Sequence, residues 1–159
     1  MKMGNRESRR EREQKDFEHA CEYNILPVVE KLLRKHYINP GRCCFVAAVR
    51  RNHIDMIKLF LESGRVDPTV SYNEALRIAA SQGKVEIFKL LMSDRRIDPS
   101  YWSAHKAIEP AFHLKYQRCR EICQLVLSDP RVNPAADDNS FISAAAWTKN
   151  YDLVECLLA

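Results

Sequence analysis

One short segment recurs four times along the chain, and no other feature limits the fold as strongly. It reads SGRVDP from Ser63 to Pro68, SDRRIDP from Ser93 to Pro99, SDPRVNP from Ser128 to Pro134 and, in degraded form, HYINP from His36 to Pro40. The tag prolines lie 28, 31 and 35 residues apart, so the unit is about 31 residues long with small insertions and deletions. A period of that length means stacked supersecondary units, each too small to bury its own apolar face.

Between the tags the sequence predicts helical hairpins. In NEALRIAASQGKVEIFKLLM, Asn73 to Met92, the residues Leu76, Ile78, Ala79 and Ala80 form one short apolar face. Val85, Ile87, Phe88, Leu90 and Leu91 form another, and the break falls at Gly83, where positive φ carries no steric cost. An aspartate at Leu90 or Ile87 should therefore unfold the middle of the array. The pattern returns in FVAAVRRNHIDMIKLFL from Phe45 to Leu61, with Asn52 in place of the glycine, and in HACEYNILPVVEKLL from His19 to Leu33, where Asn24 marks the break. Asn is the next best residue for that conformation, and Pro27 falls in a first helical turn, where proline is tolerated. The last copy is FISAAAWTKNYDLVECLL, from Phe141 to Leu158. The unit from Ala107 to Leu127 departs from the rest: His113 to Gln117 reads as a longer inter-helix loop, and Pro110 should disturb its first helix. Val66, Ile97 and Val132 precede the tag prolines and should pin each turn into the core. The units are thus about 17–38, 39–65, 66–96, 97–131 and 132–159, after a charged tail or helix extension over residues 1–16.

These residues carry a resemblance. ALRIAASQGKVEIFKLLM resembles the ankyrin core of a Leu-x-x-Ala-Ala helix, a glycine turn and a Glu-Val-Val-Lys-Leu-Leu-type second helix, and the match extends from about Phe17 to the C-terminus. The tags followed by polar stretches such as Ala135 to Asn139 are similar to short arrays of large DNA viruses and amoebae. The resemblance implies an all-α, ankyrin-type helical-hairpin solenoid that acts as a protein-binding scaffold. Where the family has a Thr-Pro-Leu-His opening that ties neighbouring repeats, this chain has Glu74-Ala75-Leu76-Arg77, and its unit falls short of the usual length. Its fingers should be short and turn-like.

Other functions find little support. The five histidines share no register, and no nucleophile elbow, phosphate loop or paired-carboxylate arrangement is present, so we expect no enzyme and no cofactor. Cys119 and Cys123 lie four apart with His113 nearby, yet no fourth ligand stands at a zinc-like spacing and Cys123 takes the register of Phe88; no metal is expected. Cys21, Cys43, Cys44, Cys119, Cys123 and Cys156 read as reduced core thiols of a cytoplasmic or nuclear protein, with Cys43 and Cys44 pointing apart. With 25 basic against 21 acidic residues the net charge of +4 gives no ground for a nucleic-acid partner. The alternative of a nucleic-acid binder rests on Arg9-Arg10-x-Arg12 and Arg50-Arg51. Pairs such as Glu11 and Lys15 instead suit a solvated helix or frayed tail. No apolar run spans a bilayer, and the myristoylation pattern from Met3 to Ser8 has Met1 and Lys2 ahead of its glycine.

In an array of this kind, recognition falls to the turn tips and the ends of the first helices along a concave face. Register places Tyr23, Arg50, Arg51, Ser81, Gln82, Tyr116 and Trp147 there, with Tyr72, Tyr101 and Trp102 at turn tips. Aromatics and arginine are the types enriched at interface hot spots. The partner is expected to be another protein; a structural fragment of a larger protein is the bland rival. The final apolar face at Val154, Leu157 and Leu158 has no polar capping repeat after it, which fits a truncated chain, a further repeat or end-to-end self-association.

Overall fold

A computed structural model describes residues 4–98, 117–133, 142–143, 146 and 151–158. Among them the regular elements are all helices: α1 (Gly4–Glu22), α2 (Leu26–Leu33), α3 (Gly41–Arg51), α4 (Ile54–Ser63), α5 (Val70–Ser81), α6 (Val85–Met92), α7 (Gln117–Leu127) and α8 (Tyr151–Leu158). They fall into two compact units, Met1–Asp67 and Pro68–Ala159. In the first, α1 packs on α2 and α3, and α4 packs on α2 and α3. In the second, α5 packs on α6, α6 on α7 and α7 on α8.

The hairpin turns form as their residues dictate. Asn24, Asn52 and Gly83 take φ of 58°, 64° and 62°. In each, the next N–H donates to a carbonyl five residues back: Ile25 to Ala20 at 2.8 Å, His53 to Ala48 at 2.9 Å and Lys84 to Ala79 at 2.8 Å. These bonds satisfy carbonyls that a helix end would otherwise leave orphaned. The three alanines are buried, because a larger side chain there would push the returning helix away. Pro27 lies in the first turn of α2, where its missing N–H has no helical acceptor to lose.

The tags are turns too. Ser63, Ser93 and Ser128 donate from Oγ to the carbonyls of Phe60 (2.7 Å), Leu90 (2.7 Å) and Leu125 (2.9 Å), closing each second helix. Ile38, Ile97 and Val132 then donate their N–H three residues back, to Lys35, Asp94 and Asp129, at 3.1, 3.0 and 3.0 Å. Ile38, Val66, Ile97 and Val132 are all buried, as the pinning role requires.

The core of the first unit is built on Phe17, Phe45 and Phe60, with ring centroids 6.3 Å (Phe17 to Phe60) and 6.2 Å (Phe45 to Phe60) apart. That of the second holds Leu76, Ile87, Phe88, Leu91, Ile97, Ile122, Cys123 and Val126. Two expectations need correction. Leu90 is only half-buried whereas Ile87 and Leu91 are buried, since a 3.6-residue period carries position 90 to the rim of the face; an aspartate there is tolerated far better than at Ile87. Cys43 is exposed while Cys44 is half-buried, because adjacent helical positions differ by about 100°; Cys43 is not a core thiol. The side chains of Cys119 and Cys156, and the segment around Pro110 and His113 for which a loop is expected, lie outside the described residues.

One local conformation was not expected. Ser71, Tyr72 and Asn73 all take left-handed backbone angles, with φ of 58°, 57° and 56°, before α5 continues right-handed. Tyr72 stands seven residues before Ala79, as Gly41 stands before Ala48, and Gly41 has φ of 53°. Both hairpins thus enter their first helix through a left-handed residue, but only one of them has a glycine to do it.

Candidate binding surface

The described site residues fall in both units, beside turns already described. In the first unit, Tyr23 sits just before the Asn24 turn, 64% exposed, with its ring centroid 4.4 Å from that of His19. Ile25 and Val28 beside it are also exposed. Arg50 and Arg51 end α3 and are exposed. Arg51 is committed to structure: its Nη2 donates to Glu22 Oε1 at 2.9 Å, joining the ends of the first helices of two successive hairpins.

In the second unit, Gln82 is exposed, but Ser81 is half-buried and its hydroxyl donates to the carbonyl of Ile78 at 3.1 Å. Ser81 therefore offers less than its register suggested. Tyr72 offers more. It is 92% exposed, at the rim of a groove lined by Thr69, Ser71, Asn73, Arg96 and Asp98. The left-handed residues beneath it cost roughly 1–2 kcal/mol each for a side chain other than glycine. Asn73 is buried, and its side-chain oxygen finds no hydrogen-bond partner among the described residues. Tyr101, Trp102, Tyr116 and Trp147 lie outside the described residues.

The chain belongs to the ankyrin-repeat family. The family model "Ankyrin repeats (3 copies)" matches residues 17–101, more than half the chain, and so covers the hairpins built on Ala20, Ala48 and Ala79. No curated protein and no solved structure matches the chain significantly.

Membership sharpens what the missing Thr-Pro-Leu-His opening must be replaced by, and here sequence reasoning overlooked the decisive residues. Arg65 of the tag reaches back to the preceding one: Nη1 donates to the carbonyls of Leu33 and Lys35 (the latter at 3.0 Å), and Nη2 to those of His36 (3.2 Å) and Ile38. Arg131 repeats the arrangement, donating to the carbonyls of Ile97 at 3.1 Å and Met92 at 3.4 Å. Its Nη2 is also 2.6 Å from Asp129 Oδ2, and the guanidinium holds that carboxyl below its usual range. Arg96 pairs with Asp94 in the same way at 2.6 Å. A signal existed in the sequence: an arginine stands directly before the apolar tag residue in three of the four copies.

The fourth copy has Tyr37 there. Its hydroxyl donates to Glu13 of α1, and Lys35 Nζ donates to the same Glu13 oxygen at 2.6 Å. Gln14 and Asn39 exchange two hydrogen bonds, of 2.9 and 3.0 Å. The guanidinium of Arg10 lies 5.1 Å from the Tyr37 ring centroid. On this helix Arg9 pairs with Glu13 at 3.2 Å and Gln14 donates to Glu18 at 3.0 Å, both four residues apart. Helix α1 thus runs unbroken through position 16 and supplies the first tag with the neighbour that a preceding repeat would provide. Among the described residues no group of three His, Cys, Asp or Glu side chains comes together, and no helix is long and apolar enough to cross a membrane.

Proposed function

We propose that this ankyrin array is a non-catalytic scaffold that binds another protein in the cytoplasm or nucleus, using Tyr72 and Gln82 in the second unit and Tyr23 and Arg50 in the first. Tyr72 carries the reading. An aromatic side chain held 92% exposed above left-handed backbone carries backbone strain and contributes no burial to the fold, and a partner surface that covers the ring would gain the apolar contact that the fold leaves unused. Tyr101, Trp102, Tyr116 and Trp147 extend this reading by register, and Arg51 and Ser81 belong at its margin because their polar groups are already engaged.

The test is cross-linking mass spectrometry on tagged protein in cell extract, with wild type and Tyr72→Gly compared before and after nuclease treatment. The reading expects a polypeptide cross-linked near residue 72 in the wild type, lost in the variant and unaffected by nuclease. Loss on nuclease treatment, with no effect of the variant, would turn the assignment to nucleic acid. End-to-end association through the last repeat, where Leu158 is exposed, belongs to the same proposal; light scattering showing a strict monomer at high concentration removes it.

A further inference from the structure

We propose that Ser71, Tyr72 and Asn73 form a two-state turn that gates the binding surface. In its left-handed form the Tyr72 ring stands in solvent. In its right-handed form α5 runs on from Val70 without a break and carries the ring onto its own apolar face. The proposal rests on the reading of Tyr72 as a partner-binding residue and adds a control on when that residue is available.

The left-handed form contains what works against it. All three residues carry a Cβ, yet their φ and ψ are 58° and 46°, 57° and 53°, and 56° and 44°, where a Cβ crowds the following carbonyl oxygen. Residues of this hand ordinarily come singly, not in runs. Two buried polar atoms also lack hydrogen-bond partners among the described residues: the side-chain oxygen of Asn73, a residue 4% exposed, and Nε of Arg77. One accepts and the other donates, and they belong to positions four apart, which are neighbours on a right-handed helix. A right-handed turn lets each satisfy the other. The same periodicity places Tyr72 on one helix face with Leu76 and Ala79, both buried.

Other features hold the left-handed form in place. Arg77 Nη2 donates to the Ser71 carbonyl at 3.2 Å. Gly41, at the equivalent place in the preceding hairpin, is left-handed as well, so entry from a tag draws the chain to that hand. The Asn73 N–H donates to the Thr69 carbonyl at 2.9 Å, the four-residue bond that a turn of either hand closes. The change of hand therefore gives up no backbone bond. A partner that takes the exposed ring selects the left-handed form, and its apparent affinity scales with the fraction of molecules in that form.

The experiment is fluorine NMR of the full chain labelled with 3-fluorotyrosine. Tyr72 is assigned by the signal lost in Tyr72→Phe, and its exposure is read from line broadening by a soluble gadolinium chelate. Ser71→Gly removes the cost of the left-handed form at that position, and Ser71→Val raises it, because a β-branched side chain tolerates positive φ least. Both variants lose the hydroxyl, so opposite responses cannot stem from that loss. The expected result is full broadening of Tyr72 in Ser71→Gly and severalfold less in Ser71→Val. In wild type, amide relaxation dispersion should show microsecond-to-millisecond exchange at residues 71–73 that Ser71→Gly suppresses, which decides the matter should Ser71→Val fail to fold. No partner is present in these measurements, so they are independent of the cross-linking test of Tyr72 as a binding residue. Equal broadening of Tyr72 in the two folded variants, or flat dispersion at residues 71–73 in wild type, overturns the proposal.

Discussion

Tyr37 and Arg65 hold the same place in successive tags, directly before the buried Ile38 and Val66, yet they reach different neighbours. Arg65 spreads its guanidinium over four carbonyls, two in the tag before it and two at and just after the end of the helix that leads into that tag. The Tyr37 hydroxyl meets a carboxylate on α1 instead. A planar cation with five donors suits a ring of backbone acceptors; a phenol suits a single side-chain acceptor. The difference teaches that the tag is a joint whose outward half is chosen to fit whatever lies next to it.

The severest way to break the comparison is to remove what the two tags share. Ile38→Asp and Val66→Asp each bury an unpaired carboxylate, and each should lower stability by several kcal/mol in chemical denaturation. Equal loss at both sites supports one joint geometry; tolerance at either would mean that this tag is not seated in the core.

The next change separates the joints. Arg65→Met and Arg131→Met keep the aliphatic stem and delete the donors, so each should cost about 1–2 kcal/mol, the lower part of the range for charged hydrogen bonds because Arg65 is largely exposed. Tyr37→Phe removes one hydroxyl and should cost less than either.

A gain is expected at the entry to α5. Tyr72→Gly puts at that position the residue that Gly41 already supplies in the preceding hairpin, and should raise stability by about 0.5–1 kcal/mol after the added freedom of the unfolded chain is subtracted. The same change should abolish partner cross-linking, so that stability and binding move in opposite directions.

The smallest effect is confined to acid. Glu13 is held at about 2 against an ordinary 4.5, first by the hydrogen bond from Lys35 and next by that from Tyr37. Between those values the unfolded chain binds the proton and the folded one does not. The stabilisation is therefore complete above pH 4.5 and disappears as pH falls to about 2. Glu13→Gln should be less stable than wild type at pH 7 and indistinguishable from it near pH 2; a difference that persists in acid would assign the role to packing.

Much of this architecture could be read from the chain because it is local. Asn24, Asn52 and Gly83 announce left-handed turns by residue type, and Val66, Ile97 and Val132 announce buried tags by position. What could not be read depends on partners distant in sequence or on backbone atoms that carry no letter. The Lys35 and Tyr37 contacts to Glu13 cross more than twenty residues of sequence, and the carbonyls that receive Arg65 belong to four different side-chain types. Ser71 to Asn73 contain no glycine to advertise left-handed geometry. Of the expected surface, Tyr23, Arg50, Arg51, Tyr72 and Gln82 are exposed and Ser81 is half-buried; the Arg51 guanidinium bonds Glu22 and the Ser81 hydroxyl bonds the Ile78 carbonyl.

The most direct test of the tag as a joint between repeats is amide hydrogen exchange of Arg65→Met against wild type. The account predicts faster exchange in the preceding tag, at the Ile38 amide that donates to Lys35, while the corresponding Ile97 amide, which donates to Asp94 in the tag that the intact Arg131 reaches, keeps its protection. Unchanged protection at Ile38 in a protein that has lost the Arg65 guanidinium would contradict it.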